Sequence, residues 1–385
     1  MQRDATTPVE WDPLAGRWNE RLRPPPPPAA GWWRSTGPRS AVVGGIVGAL
    51  VTAAILVPVA RHNGSTVVER RLAAVAAPVD GPLSVVQIAA TARPWVVNIN
   101  TERSESLVGQ VEGTGSGVIL RSDGYILTSA HVVRSALSIQ VTLASGEKLP
   151  AKMVGVDTDT DTAVVKVARQ HLPAAVIGTV RNLRVGDIAV AIGSPFGLQQ
   201  TVTQGIISAL GRTVRRTPDP PLVEMIQTDA AITHGNSGGA LVNGDGAVVG
   251  INTAIASTSG GGEGFAFATP IDVAVAVAHE LIASGHATHP WLGVNGGNIT
   301  PETATKFGVE QGAFMVEVLS GGPAAAAGMR ANDVVVSFAG GKIDSMDDLI
   351  VAIRNHKVGE RVAIGIVRAG RHLTVHATLA EKPRS

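Results

Sequence analysis

Three short segments carry residue types that together could cleave an acyl bond. Thr128-Ser129-Ala130-His131 presents a histidine, Asp157-Thr158-Asp159-Thr160-Asp161 offers three carboxylates, and Gly235-Asn236-Ser237-Gly238-Gly239 sets a serine among small residues. A serine hydroxyl is a poor nucleophile until an imidazole accepts its proton. The imidazole in turn needs a buried carboxylate to fix its tautomer and stabilise its cationic form. The attacked carbonyl oxygen becomes negative, so backbone N–H groups must already point at it. Gly235 can adopt angles closed to other residues, which lets the N–H groups of Gly235 and Ser237 converge. Ala130, Gly238 and Gly239 are small enough for the reacting groups to approach closely.

Each segment alone has an ordinary reading. A GNSGG run is commonly a turn, His131 could be a core histidine, and Asp161 a turn residue. Asp157 and Asp159 are rival carboxylates expected to face solvent, and His234 is read as a loop residue. Gly235–Gly239 also fits the Gly-x-Ser-x-Gly elbow, but that turn needs a helix after the serine and the order Ser, Asp, His. Here ALVNGDGAVVGI follows Ser237 and reads as a hairpin, while the histidine and the aspartates precede it. The order His, Asp, Ser belongs to the chymotrypsin arrangement. Gly113-Thr114-Gly115-Ser116-Gly117 could suggest a nucleotide loop, but no helix follows, so close strand packing is expected.

These residues must be held by β-structure. Between Trp95 and Thr269 short β-branched runs (VVNINT, YILTSA, AVVKV, IAVAI, AVVGI) alternate with turns at Asp123-Gly124, Ser145-Gly146, Asn243-Gly244 and Asp245-Gly246. Such spacing predicts an antiparallel barrel or sandwich. Residues 271–284 have helical period, with Gly285 as C-cap, and close a domain spanning 84–285. The remainder, 286–385, is a smaller α+β module. Its strands are expected at 314–319, 333–338, 361–368 and 372–379, with a helix from the N-cap Ser345 and a capping box completed by Asp348.

The composition agrees: 385 residues, 44% hydrophobic, only 3% aromatic, 45 glycines. The length calls for two domains plus extensions. A formal net charge of +1 gives no electrostatic reason to expect a nucleic-acid partner. With no cysteine, disulfides, thiol catalysis and Cys-ligated zinc are excluded. Residues 1–40 hold five consecutive prolines at 24–28 and four of the six tryptophans, Trp11, Trp18, Trp32 and Trp33, and read as a disordered tail. Residues 41–60, AVVGGIVGALVTAAILVPVA, carry no charge. As a helix they would span roughly 30 Å, about one hydrocarbon core. The stretch starts too late and runs too long for a cleaved signal peptide, so a retained anchor is expected. Arg17, Arg21, Arg23, Arg34 and Arg39 precede it, which favours a cytoplasmic N-terminus in the cell membrane and extracytoplasmic domains beyond. Residues 61–83 read as a linker.

From about Ser84 to Pro383 the sequence resembles the HtrA (DegP-type) serine proteases. The likeness is carried by GTGSGVIL at 113–120, DGYILTSAHVV at 123–133, DTDTAVVKV at 159–167, AIGSPFGLQQTVTQGIISALGR at 191–212 and QTDAAITHGNSGGALVNGDGAVVGINTAI at 227–255. The resemblance implies a chymotrypsin-like double β-barrel followed by one PDZ domain. His131 would then be general base, Asp161 the orienting carboxylate and Ser237 the nucleophile, with Gly235 and Asn236 in the oxyanion loop. It implies that Trp291, Leu292, Gly293 and Val294 form a loop binding a chain terminus, beside the helix at 345–356. It also implies substrates among unfolded or damaged extracytoplasmic proteins, and a homotrimer, for which Trp95 is the one aromatic near the start of the protease domain.

Ala231, Ile232, Ile251 and Ile255 would make a pocket for small aliphatic side chains, since no acidic residue leads to Ser237 as in trypsin-type pockets. The mechanism calls for no cofactor and no metal. Two rivals follow from the same sequence: a PDZ-centred chaperone or binding protein with an idle triad, and a signalling protease that cuts one membrane partner.

Overall fold

A computed structural model of the chain describes residues 9–12, 17–20, 83–105, 109–194, 200–216, 219–253 and 265–383. The anchor expected at 41–60, the linker except its last residue, and Ile255 lie outside the described residues. Among the described residues no helix is long and apolar enough to cross a membrane. Within 1–40, expected to be irregular, β1 (Val9–Asp12) pairs antiparallel with β2 (Arg17–Glu20), Trp11 opposite Trp18.

The body of the molecule starts with a helix the sequence reading missed, α1 (Val85–Ala92). Ser84 caps it with a full box: its hydroxyl oxygen accepts from Gln87 N–H, and the Gln87 side chain accepts from Ser84 N–H. Six strands then close the first barrel: β3 (Val96–Glu105), β4 (Gly109–Ile119), β5 (Tyr125–Ser129), β6 (Ser138–Thr142), β7 (Lys148–Asp157) and β8 (Thr162–Val167), in the order β3-β4-β5-β8-β7-β6. Strands β3 and β4 form a hairpin, with Glu105 opposite Gly109. A one-turn helix, α2 (Ala130–Val133), follows β5.

The second barrel uses β9 (Ile188–Gly193), β10 (Thr201–Val214), β11 (Leu222–Thr228), β12 (Ala240–Asn243), β13 (Val248–Thr253) and β14 (Ala266–Pro270), closing as β10-β11-β14-β13-β12-β9. The segment after Ser237 is therefore a hairpin, as expected. Helix α3 (Ile271–Ser284) ends at Gly285 in the left-handed region, φ 80°.

The strands read as almost unbroken apolar runs because both faces are covered. Along β8, Ala163, Val165 and Val167 fill the first barrel while Val164 points out. Along β9, Ala189 and Ala191 fill the second barrel while Val190 and Ile192 point out. The outward residues of both barrels meet Ile88 of α1 and Ala274, Ala278 and Leu281 of α3 in a common layer. Two barrels, each with its own interior, are thus fused through a third apolar core.

The last module is a sheet of β16 (Val294–Asn298), β17 (Ala313–Val318), β18 (Val334–Phe338), β20 (Arg361–Arg368) and β21 (Arg371–Thr378), with β19 (Gly341–Lys342) on β18. A short pair, β15 (Pro290–Trp291) with β22 (Ala380–Glu381), closes it. Helices α4 (Pro301–Phe307), α5 (Pro323–Ala326) and α6 (Met346–Arg354) complete it. Ser345 caps α6 by accepting from Asp348 N–H. The return bond of the expected capping box is shifted by one residue: Asp348 accepts from Asp344 N–H.

Candidate active site

The interface between the barrels brings the three sequence segments together. His131 lies in α2, directly after β5. Its Nδ1 is 2.8 Å from Asp161 Oδ2, and its backbone N–H donates to Asp161 Oδ1 at 3.0 Å. Ala130 N–H donates to the Asp161 carbonyl at 3.0 Å. Asp161 therefore holds both ends of the histidine residue. Its side chain is 1% exposed against 33% for His131, so the carboxylate is sequestered and the ring keeps one open edge. Asp161 sits at φ 55°, a left-handed conformation that aspartate tolerates and that concentrates at functional sites.

Ser237 comes from the loop before β12. Ser116 N–H of the first barrel donates to the Ser237 carbonyl at 2.8 Å, and Gly238 N–H donates to Asn252 carbonyl at 2.7 Å. Gly238, at φ 83°, must be glycine: a Cβ there would lie 2.2 Å from the Ser116 carbonyl and 2.3 Å from Thr128 Oγ1. This close approach presses the Ser237 loop against β5, the strand that leads to His131. Among the described residues the Ser237 hydroxyl makes no hydrogen bond. Such bonds tighten as substrate binds.

Gly235 has φ 95°, and Asn236 N–H donates to the Thr233 carbonyl at 3.0 Å. Among the described residues the N–H groups of Gly235 and Ser237 have no acceptor. Two unspent donors beside a serine are what a developing oxyanion requires. The set can move a proton from a hydroxyl to an imidazole and stabilise the negative oxygen that results.

Asp157 and Asp159, expected to face solvent, do not. Asp157 is 7% exposed and accepts from Thr160 N–H and Oγ1. It also pairs with His289 Nε2 at 2.8 Å. Burial alone would raise the Asp157 carboxyl; the hydrogen bond and charge of His289 and the donors of Thr160 and Asp159 outweigh it and hold the carboxyl below its ordinary value. Burial would lower the His289 imidazole, but Asp157, with Asp159 behind it, raises it. Asp159 accepts from Lys382 Nζ through both oxygens at 2.7 Å. Asp157, Asp159 and His289 cluster closely enough to suggest a metal. The contacts from His289 and Lys382 already neutralise both carboxylates.

Two arginines that sequence reasoning passed over buttress this region. Arg103 donates to the carbonyls of His131 and Val132 at 2.8 and 2.7 Å, satisfying the end of α2. Arg216 donates to the Thr158 carbonyl at 2.9 Å, with Nη1 3.8 Å from Asp161 Oδ1. Neither has a local motif; both act across long sequence separations.

A trypsin-like peptidase domain matches residues 115–251 and a PDZ domain residues 290–379. The chain is 45% identical over 273 residues to a probable periplasmic serine endoprotease, DegP-like, of Halomonas elongata, covering 70% of this chain and 57% of that protein. The same name from Chlamydia trachomatis matches at 45% over 271 residues, 70% and 54% of the two chains. This match therefore spans little more than half the length of those curated relatives. Among solved structures, the HtrA-type protease AlgW with tripeptide has a TM-score of 0.68 and 37% identity, covering 79% of this chain and 99% of that one. AlgW with decapeptide has a TM-score of 0.66 at 35% identity, covering 79% and 100%. The chain belongs to the HtrA-type serine protease family.

In this HtrA-type chain the C-terminal module presents a groove of about 470 Å³. Its lining includes Trp291, Leu292, Gly293 and Val294 with Ile350 and Ile353 of α6, and Asp159, Arg215, Pro220 and Pro221 of the protease domain also border it. Strand β16 is the outer strand of its sheet, so its free edge can accept another strand. The loop carbonyls are fixed: Ala324 N–H donates to Leu292 at 2.8 Å and Leu319 N–H to Gly293 at 2.9 Å. Among the described residues the N–H groups of Leu292 and Gly293 donate to nothing.

Of the four residues expected to line a specificity pocket, the three that are described, Ala231, Ile232 and Ile251, are not gathered in one place. Ala231 is exposed, Ile232 packs inside the second barrel, and Ile251 packs in the layer between barrels. Trp95, the one aromatic near the start of the protease domain, is 6% exposed and belongs to that same layer. Only Ile251, on β13, is placed by strand alternation; Ala231 and Ile232 lie in the loop between β11 and β12, and Trp95 in the turn before β3, where the closing of the cores decides which side chains are covered.

Proposed function

We propose that this protein is a serine endopeptidase that cleaves unfolded or damaged extracytoplasmic proteins, with a PDZ groove that binds chain termini. The observation that carries the reading is the 2.8 Å contact from His131 Nδ1 to a buried Asp161, beside a serine loop with two unspent N–H donors. Ser237 Oγ attacks the scissile carbonyl while His131 Nε2 takes its proton, and Asp161 steadies the imidazolium through Nδ1–H. The N–H groups of Gly235 and Ser237 hold the oxyanion, with Asn236 shaping the turn between them. His131 then passes the proton to the leaving amine and activates the water that releases the acyl group. No step calls for a metal or cofactor.

A terminal carboxylate of the bound peptide is held by the N–H groups of Leu292, Gly293 and Val294, and its chain adds to the edge of β16 beside α6. The uncharged stretch 41–60 anchors the chain in the cell membrane with the N-terminus cytoplasmic. The extracytoplasmic location of the catalytic domains also draws on the periplasmic name of the relatives. Family likeness supports a homotrimer, and a role in protein quality control under stress.

The test is cleavage of a labelled unfolded protein by the full chain and by Ser237→Ala. Activity in the parent and a loss of about 10⁴-fold or more in the variant are expected. A parent that neither cleaves nor reacts with a serine-directed phosphonate, with or without C-terminal peptides, would leave the idle-triad binding role instead. Light scattering of the detergent-solubilised chain tests the trimer.

A further inference from the structure

Ser116 was expected only to allow close strand packing between two glycines. In the structure it is 0% exposed and every polar atom it has is used, its hydroxyl and N–H across the gap between barrels. Its Oγ donates to the Gly235 carbonyl at 2.6 Å and accepts from Ser194 N–H at 2.8 Å. Its N–H donates to the Ser237 carbonyl at 2.8 Å, and its carbonyl accepts from Thr128 Oγ1 at 2.7 Å. A single residue of β4 thus grips the oxyanion loop on both sides of Asn236. It also ties that loop to the end of β9 and to the strand that leads to His131.

We infer that Ser116 is a positioning residue that sets the oxyanion hole by fixing the Gly235 carbonyl through its hydroxyl. The Gly235–Asn236 peptide is clamped at both ends: its carbonyl by Ser116 Oγ–H and its N–H by the Thr233 carbonyl. With that plane fixed and Gly235 at φ 95°, the preceding peptide, which carries the Gly235 N–H, has its direction set as well. The Ser237 end is fixed by Ser116 N–H. Without the hydroxyl, the Gly235 carbonyl would lose its buried donor, and the loop could turn to seek another partner. An oxyanion donor that must find its direction during the reaction loses the advantage of being preorganised.

The effect falls on the transition state and spares ground-state binding, because Ser116 is buried beneath the loop and away from substrate. The inference rests on Ser237 being the nucleophile. An inactive parent would defeat that reading, whereas an active parent with an equally active variant defeats only the role of Ser116.

The experiment compares the full chain with Ser116→Ala and Ser116→Thr on one peptide substrate. It measures kcat, KM, the thermal unfolding midpoint, and affinity for a peptidyl boronate, whose tetrahedral adduct needs the oxyanion hole. For folded Ser116→Ala, kcat is expected to fall about 10- to 100-fold, somewhat less than for deletion of an oxyanion donor itself. KM should stay within about twofold, and boronate affinity should fall in step with kcat. Ser116→Thr, which restores the hydroxyl, should recover most of the loss. Should the alanine variant not fold, Ser116→Cys keeps the volume with a weaker donor and is expected to lose kcat in the same way. Unchanged kcat in a folded alanine or cysteine variant, or a loss confined to KM, would overturn the inference.

Discussion

The two loops that flank the catalytic centre are held by opposite means. The oxyanion loop is fixed by neutral hydrogen bonds, most of them between buried residues: Ser116 donates to the Gly235 and Ser237 carbonyls, Gly238 N–H to Asn252 and Asn236 N–H to Thr233. The aspartate loop, 157–161, is fixed largely by charge: His289 on Asp157, Lys382 on Asp159, Arg216 on Asp161. Neutral buried bonds do not titrate and have few alternatives, so they give a site one geometry. Charged pairs respond to pH and salt. Two of those on the aspartate loop come from the PDZ module or its approach, at His289 and Lys382. One half of the site is therefore built for fixed shape, and the other is wired to the neighbouring domain.

The contrast can be broken at several points. The largest effect is expected from Asp161→Asn, which leaves the loop in place but favours the wrong imidazole tautomer. Steady-state kinetics should show kcat down about 10³- to 10⁴-fold with the fold intact. A smaller kinetic loss would mean that the carboxylate mainly positions the backbone of His131.

Gly238→Ala tests the neutral loop. The added methyl would need room that the Ser116 carbonyl occupies, at a φ that disfavours side chains. A loss of about 3 kcal/mol in denaturant unfolding is expected, together with reduced activity. An unimpaired variant would show that the loop is looser than its bonds suggest.

His289→Gln sharpens the other side. The raised His289 imidazole contributes stability that is complete below its ordinary unfolded value and is lost as pH rises through its raised folded value. The lowered Asp157 carboxyl contributes stability that is complete above its ordinary value and is lost as pH falls through its lowered folded value. The pair is therefore strongest between about pH 4 and about pH 6.5. In that window the variant should be less stable by about 2 kcal/mol, and its unfolding midpoint should depend less on pH. Equal pH profiles for parent and variant would remove His289 from the charged network.

Lys382→Met should cost the least, under about 1 kcal/mol, because the Lys382 side chain is 37% exposed and solvent screens its charge. Raising the salt concentration should narrow even that difference.

Much of this was legible from residues alone. The order histidine, aspartate, serine, the turn-rich β pattern and the hairpin after Ser237 all follow from local chemistry, while the choice of Asp161 among three carboxylates came from the family resemblance. The helix 271–284 and its glycine cap were likewise readable, because helical period and capping are properties of adjacent residues. The helix Val85–Ala92 escaped notice although Ser84 and Gln87 form a capping box, since an eight-residue helix shows too few turns to reveal a period. Asp157 was misplaced toward solvent because its partner, His289, lies 132 residues away. Ile232 and Ile251 seemed neighbours of one pocket, yet they belong to different cores, because Ile251 points outward from β13 into the layer between barrels while Ile232 turns into the second barrel from the loop before β12.

The sequence by itself determined which groups could do the chemistry, since nucleophile, base, carboxylate and glycine turn are fixed by residue type and by the short-range geometry each type permits. Only the tertiary structure decided how those groups are held. Ser116, Arg103, Arg216 and His289 act across a barrel seam or a domain junction, where partners far apart in the chain meet once both cores have closed. No local pattern records such meetings, because the register and burial that produce them are set cooperatively by the whole fold.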